Sequence, residues 1–173
     1  DVMKEDGYSW WTMRMKKMSE LYDVVRIDHF RGFDSYYAIP GKDVNAKNGE
    51  WRVGPGMELF NVLKEKLGEL DIIVEDLGFL TPSVLQLVAD SGYPGMKVVQ
   101  FAFDSRDDGD YMPHNYDEHC VVYTGTHDND TIMGWMKTAP KESVKNAKEY
   151  LGLNKEEGYH WGMMRGAWMS TAE

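Results

Sequence analysis

Asp23-Val24-Val25-Arg26-Ile27-Asp28-His29-Phe30 and, further along, Asp71-Ile72-Ile73-Val74-Glu75 are two short β-branched runs, each leading to a carboxylate. Side chains alternate faces along a strand, so Val25 and Ile27 point one way and Arg26 and Asp28 the other. Ile72 and Val74 likewise share one face, while Ile73 and Glu75 share the opposite one. The apolar faces suit packing against helices. The charged faces suit the lumen or mouth of a barrel, where a charged residue at the C-terminal end of a strand reads as catalytic.

Helical patterns separate these runs from two further strand candidates. Trp11, Met15, Met18 and Tyr22 recur at helical spacing and predict a helix over about 8–22. Residues 32–56 read as a loop, since Pro40, Gly41, Gly49, Gly54 and Pro55 all favour turns. Phe60, Leu63 and Leu67 mark a second helix that closes near Gly68. Thr81-Pro82 reads as N-cap and first residue of a third helix, with Gly92 behind it. Met96 to Phe103 is a third strand candidate, a polar stretch at 104–118 follows, and Cys120 to Thr124 is a fourth. Pro140 opens a helix to about Leu151, and a last helix covers roughly 156–171. Strands alternating with helices predict βαβ units, a parallel sheet and an α/β fold with no internal domain boundary. The fourth strand runs at once into Gly125-Thr126-His127-Asp128-Asn129-Asp130. Asp28, Glu75 and Asp128 are therefore expected at the ends of three strands, at one rim of the sheet.

Composition narrows the function. The 173 residues are short for a whole (β/α)8 barrel, which takes roughly 250. Both ends fall close to helical patterns, and the chain is expected to be a piece of a longer protein. A net charge of −10 argues against nucleic acid or an anionic membrane surface as partner. No apolar run reaches the length of a membrane span and no secretory leader is visible. The single Cys120 excludes an internal disulfide and fits a reducing, cytoplasmic compartment. His29, His127, Asp28, Asp128 and Asp130 are metal-ligating residue types, but their spacing is not that of a metal site, and no metal or cofactor is expected.

Three motifs go further. Val25-Arg26-Ile27-Asp28-His29-Phe30-Arg31-Gly32-Phe33, Val74-Glu75-Asp76-Leu77-Gly78 and Tyr123-Thr124-Gly125-Thr126-His127-Asp128-Asn129-Asp130-Thr131 closely resemble the 4-alpha-glucanotransferase family, also called amylomaltase or disproportionating enzyme. Tyr8-Ser9-Trp10-Trp11 with Arg14, Gly49-Glu50-Trp51-Arg52-Val53-Gly54-Pro55-Gly56 and Pro113-His114-Asn115-Tyr116 look like it too, so the resemblance covers essentially the whole chain. It implies a partial (β/α)8 TIM barrel comprising about strands four to seven with their helices, residues 1–173 being a fragment of the catalytic barrel domain. It also implies transfer of α-1,4-glucan segments between maltooligosaccharides, in starch and glycogen metabolism, by a retaining double displacement. Asp28 matches the nucleophile, Glu75 the general acid/base and Asp128 the third acid, which favours the oxocarbenium-like ring. Arg26 and His127 match residues that contact the nucleophile or the sugar.

Trp51 and Trp135 are expected in loops after strands, where an aromatic face can stack on a pyranose, and His114 and Asn115 are read either as touching an acceptor sugar or as a plain turn. A retaining hydrolase would use the same acids with water, and a non-catalytic glucan-binding fragment would use the same surface without turnover. The uncovered edges of a half barrel leave pairing with a second copy open.

Overall fold

The computed structural model describes residues 2–103 and 111–172, and the chain divides into two compact units, residues 1–95 and 96–173. Residues 104–110 of the polar stretch expected at 104–118 lie outside the described residues.

The first unit opens with a single turn, α1 (Val2–Glu5), and α2 (Ser9–Leu21). Strand β1 (Val25–Ile27) follows, then the antiparallel hairpin β2 (Ser35–Ala38) and β3 (Glu50–Val53). Helix α3 (Met57–Leu67), strand β4 (Ile72–Val74) and helix α4 (Pro82–Ser91) complete it. Strands β1 and β4 pair in parallel, in the register Val25–Ile72, Arg26–Ile73 and Ile27–Val74. The predicted face alternation is observed. Val25, Ile27, Ile72 and Val74 are buried, and they share one core with Met15 of α2, Leu59, Phe60 and Leu63 of α3, and Leu87 of α4. Phe60 centres an aromatic cluster, with ring centroids 5.1 Å from Phe30, 5.2 Å from Phe33 and 5.8 Å from Tyr93. Tilted and edge-to-face rings at such distances add stability beyond area burial.

The helix ends follow the sequence signals. Thr81 caps α4 by accepting from the Val84 N–H, with Pro82 next in line, and Gly92 turns the chain out at φ 67°. Gly68 closes α3 at φ 78°. The segment expected as loop differs, because it contains the β2–β3 hairpin. In it Tyr37 pairs with Trp51 and Tyr36 with Arg52. The hairpin is fastened at its base, where the Gly54 N–H donates to the Asp34 carbonyl (2.7 Å) and the Gly56 N–H to the Phe33 carbonyl (2.8 Å). A Cβ at position 54 would sit on the Phe33 carbonyl, so the close return of this strand requires glycine there.

Strand β5 (Gly95–Val98), which falls in the second unit from Met96 on, pairs with β6 (Cys120–Tyr123) in a two-stranded sheet. Helices α5 (Ile132–Thr138), α6 (Lys141–Leu151) and α7 (Tyr159–Trp168) follow. The run 96–103 is strand only to Val98; Val99–Phe103 winds into a 3-10 helix. Val99, Ala102 and Phe103 are buried there with Ala147 and Leu151 of α6 and Met163 and Ala167 of α7. Trp135 lies in α5 rather than in a loop and packs against this core, 6.4 Å from the Phe103 ring.

Candidate active site

The parallel pairing of β1 and β4 brings their C-terminal ends side by side, and the chain locks them together. The Glu75 N–H donates to the Ile27 carbonyl (2.8 Å), and the Glu75 carbonyl accepts from the Phe30 N–H (3.0 Å). The carboxylate is engaged as well. Its Oε2 accepts from the His29 N–H at 2.8 Å and its Oε1 from the Leu77 N–H at 2.7 Å. Glu75 is thus bonded to the residue before Asp28 and to both residues after it. This geometry depends on His29, whose backbone is left-handed (φ 50°, ψ 51°) and turns successive N–H groups toward Glu75. A non-glycine residue in that region carries a steric cost of about 1–2 kcal/mol, which the Glu75 contacts offset. Charge-assisted bonds from backbone amides are among the stronger ones available to a carboxylate.

Asp28 itself points outward. Its side chain is 62% exposed and pairs with Arg26, Nη1 to Oδ1 at 2.8 Å. The Arg26 side chain is the more enclosed partner, at 27% exposure. Asp28, Glu75 and Arg26, three of the residues singled out from sequence, therefore lie at one end of one strand pair. Two cavities of this unit lie elsewhere. They sit at the N-terminal ends of β1 and β4, lined by Tyr22, Asp23, Val24, Glu69 and Asp71, remote from the acids.

Trp51 lies on β3, 60% exposed, with its ring 5.5 Å from that of Tyr37 across the hairpin. The Arg31 guanidinium stands 4.9 Å from the Trp51 ring centroid and donates to the Phe79 carbonyl at 2.9 Å. Asp34 ties the same region to α4, since its Oδ2 accepts from Ser83 Oγ at 3.1 Å and from Ser35 Oγ at 3.0 Å. Arg31 belongs to the motif that follows β1. Its position among three segments shows only in three dimensions.

In the second unit, Asp128 sits in a tight turn after β6. Asn129 Oδ1 accepts from the Thr126 N–H (2.8 Å) and from its hydroxyl (3.0 Å), and the Asp128 N–H donates to Thr126 Oγ1 (3.3 Å). His127 Nε2 lies 3.4 Å from Asp128 Oδ2, and both side chains are largely exposed. The turn rests on Gln100, one of the few buried polar residues, whose Nε2 donates to the Asp130 carbonyl at 3.0 Å. Gly125 lets Gln100 approach, since a Cβ there would lie 2.7 Å from Nε2. A neutral polar residue in the largely apolar run 96–103, which also holds Lys97, is the available signal for Gln100. Asn115 ends a 3-10 turn, Pro113–Asn115, and is exposed; its neighbour His114 shares a 2.7 Å hydrogen bond with Tyr150 of α6. Among the described residues no group of three or more His, Cys, Asp or Glu could hold a metal ion, and no helix is long and apolar enough to cross a membrane.

Comparison with known proteins places this arrangement. A family model described as 4-alpha-glucanotransferase matches residues 1–173. A 4-alpha-glucanotransferase of Clostridium butyricum is 50% identical over 98% of the chain, which covers 35% of that protein. The chloroplastic/amyloplastic 4-alpha-glucanotransferase of Solanum tuberosum is 46% identical over 99% of the chain and 30% of its own length. Among solved structures, the amylomaltase of Streptococcus agalactiae in complex with acarbose superposes with a TM-score of 0.92, at 38% identity over 99% of this chain and 35% of that one. The Corynebacterium glutamicum amylomaltase, at 21% identity and a TM-score of 0.67, shares the fold. The chain thus spans about a third of the length of the curated relatives it matches.

Proposed function

This chain belongs to the 4-alpha-glucanotransferase family, and from that premise we propose that it carries the catalytic acids of an enzyme transferring α-1,4-glucan segments between maltooligosaccharides. The observation that supports this reading most is the parallel β1–β4 pair, with Glu75 hydrogen-bonded on either side of Asp28.

Asp28, outermost and exposed, attacks the anomeric carbon, while Arg26 orients its carboxylate. Glu75 protonates the departing glycosidic oxygen, then takes a proton from the 4-hydroxyl of the incoming glucan as that oxygen displaces Asp28. Two inversions give net retention. Asp128 serves as the third acid, binding sugar hydroxyls as positive charge builds at the anomeric carbon, with His127 beside it. Trp51 offers an exposed aromatic face to a pyranose, and Asn115 a side-chain amide to an acceptor. Strands β1, β4, β5 and β6 correspond in this reading to strands four to seven of a (β/α)8 barrel, the chain being part of the catalytic barrel domain. Strand edges that a partial barrel leaves uncovered are where a second copy would pair. The lone, buried Cys120 supports a reducing, cytoplasmic setting.

Incubating the full-length protein with maltotriose tests the reading. A ladder of longer maltooligosaccharides is expected; glucose and maltose without elongation would indicate a hydrolase and overturn it.

A further inference from the structure

Arg31 makes an arrangement that the proposed chemistry does not use. It follows β1 by four residues and lies on the short 3-10 helix Phe30–Phe33, just beyond Asp28. Its guanidinium reaches two other segments at once. One nitrogen, Nη1, donates to the carbonyl of Phe79 in the segment after β4, and the guanidinium lies over the Trp51 ring on the hairpin. The Nε is buried and has no hydrogen-bond partner among the described residues. A lysine would not reproduce this. Its compact ammonium can sit over a ring or donate to a carbonyl, whereas the planar guanidinium does both in one fixed plane.

Trp51 is 60% exposed and comes from a strand whose residues are all exposed, so little of its own element holds the indole. The Tyr37 ring meets it at 64°, at one side. Arg31 is the group that covers an indole face and fixes the ring plane, and it joins that plane to the segment just beyond Glu75.

We propose that Arg31 is a positioning residue for glucan binding: it holds the Trp51 indole in a fixed orientation relative to the acid-bearing ends of β1 and β4, so that a pyranose stacks on the remaining face. This rests on the glucan reading of the site. Arg31 does not touch the reacting atoms, and its effect runs through Trp51.

The test is a double-mutant cycle in the full-length protein, read as maltoheptaose binding by calorimetry. Arg31→Met and Trp51→Ala are each expected to weaken binding about three- to tenfold, and the double variant no more than the weaker single variant. Arg31→Lys is expected to fall between Arg31→Met and the unaltered protein, and it serves if Arg31→Met does not fold. Multiplying effects of the two substitutions would overturn the proposal, as would an Arg31 variant that binds as tightly as the unaltered protein. Because the readout is binding, a protein that bound maltoheptaose without turnover would sink the proposed function and leave this inference standing.

Discussion

The backbone N–H of His29 donates to Glu75 Oε2 at 2.8 Å, so the second acid is hydrogen-bonded to the residue directly after the first. The bond spans 46 positions of sequence and does not depend on the imidazole. It depends on the left-handed backbone at residue 29. His29→Gly, which adopts that conformation freely, is expected to leave stability nearly unchanged and to keep the Glu75 contact. His29→Val, stiff at Cβ and disfavoured there, is expected to cost about 1–2 kcal/mol and to lower turnover with it. Chemical denaturation and initial rates on maltotriose check the pair. Equal behaviour of the two variants would mean that backbone conformation is not what matters at this position.

Asp28 and Glu75 differ in their surroundings. Asp28 is exposed and paired with Arg26, whereas Glu75 is anchored through both oxygens to backbone amides. Glu75→Gln is expected to slow disproportionation by about 10²–10⁴-fold, and Asp28→Asn by at least as much. An α-maltosyl fluoride donor separates the two. Its leaving group needs no proton, so Glu75→Gln should recover release of fluoride and Asp28→Asn should not. Recovery by both variants would overturn the assignment of Asp28 as nucleophile.

The sequence carried β1 and β4 because each is half buried, and half burial imposes period-2 alternation. Val25 and Ile27, like Ile72 and Val74, are buried while the residues between them are not. The β2–β3 hairpin left no such trace. All four residues of β3 are exposed, so nothing selects an apolar alternation, and turn-formers surround both strands. The run 96–103 was ambiguous for the opposite reason. It is buried nearly throughout, and a largely apolar run without clean alternation is compatible with strand or helix. Asp28 and Glu75 were legible as strand-end acids. The amides that hold Glu75, from His29 and Leu77, were not, because main-chain donors have no sequence signature.

Gln100 is buried and carries the turn that presents Asp128 through its bond to the Asp130 carbonyl. Gln100→Leu fills the same space but leaves that carbonyl and its surroundings without the donor. A loss of about 1–3 kcal/mol is expected. Turnover should fall as well, through the Thr126–Asp130 turn. Gly125→Ala, which pushes a methyl against the Gln100 amide, is expected to act in the same direction. If thermal melting of either variant matched the unaltered protein, Gln100 would not be the support of this turn.

Arg165 of α7 closes the second unit. Its Nε and Nη2 donate to Glu157 at 2.7 and 2.9 Å, and Nη2 also reaches the Leu151 carbonyl at the end of α6 at 2.9 Å. The hydrogen bond from Arg165 holds the Glu157 carboxyl below its ordinary value, and the guanidinium charge adds to this; Arg165 is raised in turn. The sign follows from the direction of the Glu157 shift. A carboxylate depressed in the folded state adds stability above its unfolded value, and that stability is lost as pH falls through the folded value. Glu157→Gln keeps the shape and removes the charge. Its melting temperature is therefore expected to lie a few degrees below that of the unaltered chain at pH 7, roughly 2–5 °C. The gap should narrow below about pH 4.3, where an ordinary glutamate takes up its proton, and close in stronger acid. Arg165→Met, which also abandons the Leu151 carbonyl, should keep a residual deficit at low pH. Circular dichroism melts across pH 3–7 read both variants. A Glu157→Gln gap that stayed constant over that range would show that packing of the side chain, rather than the ion pair, fastens α7 to α6.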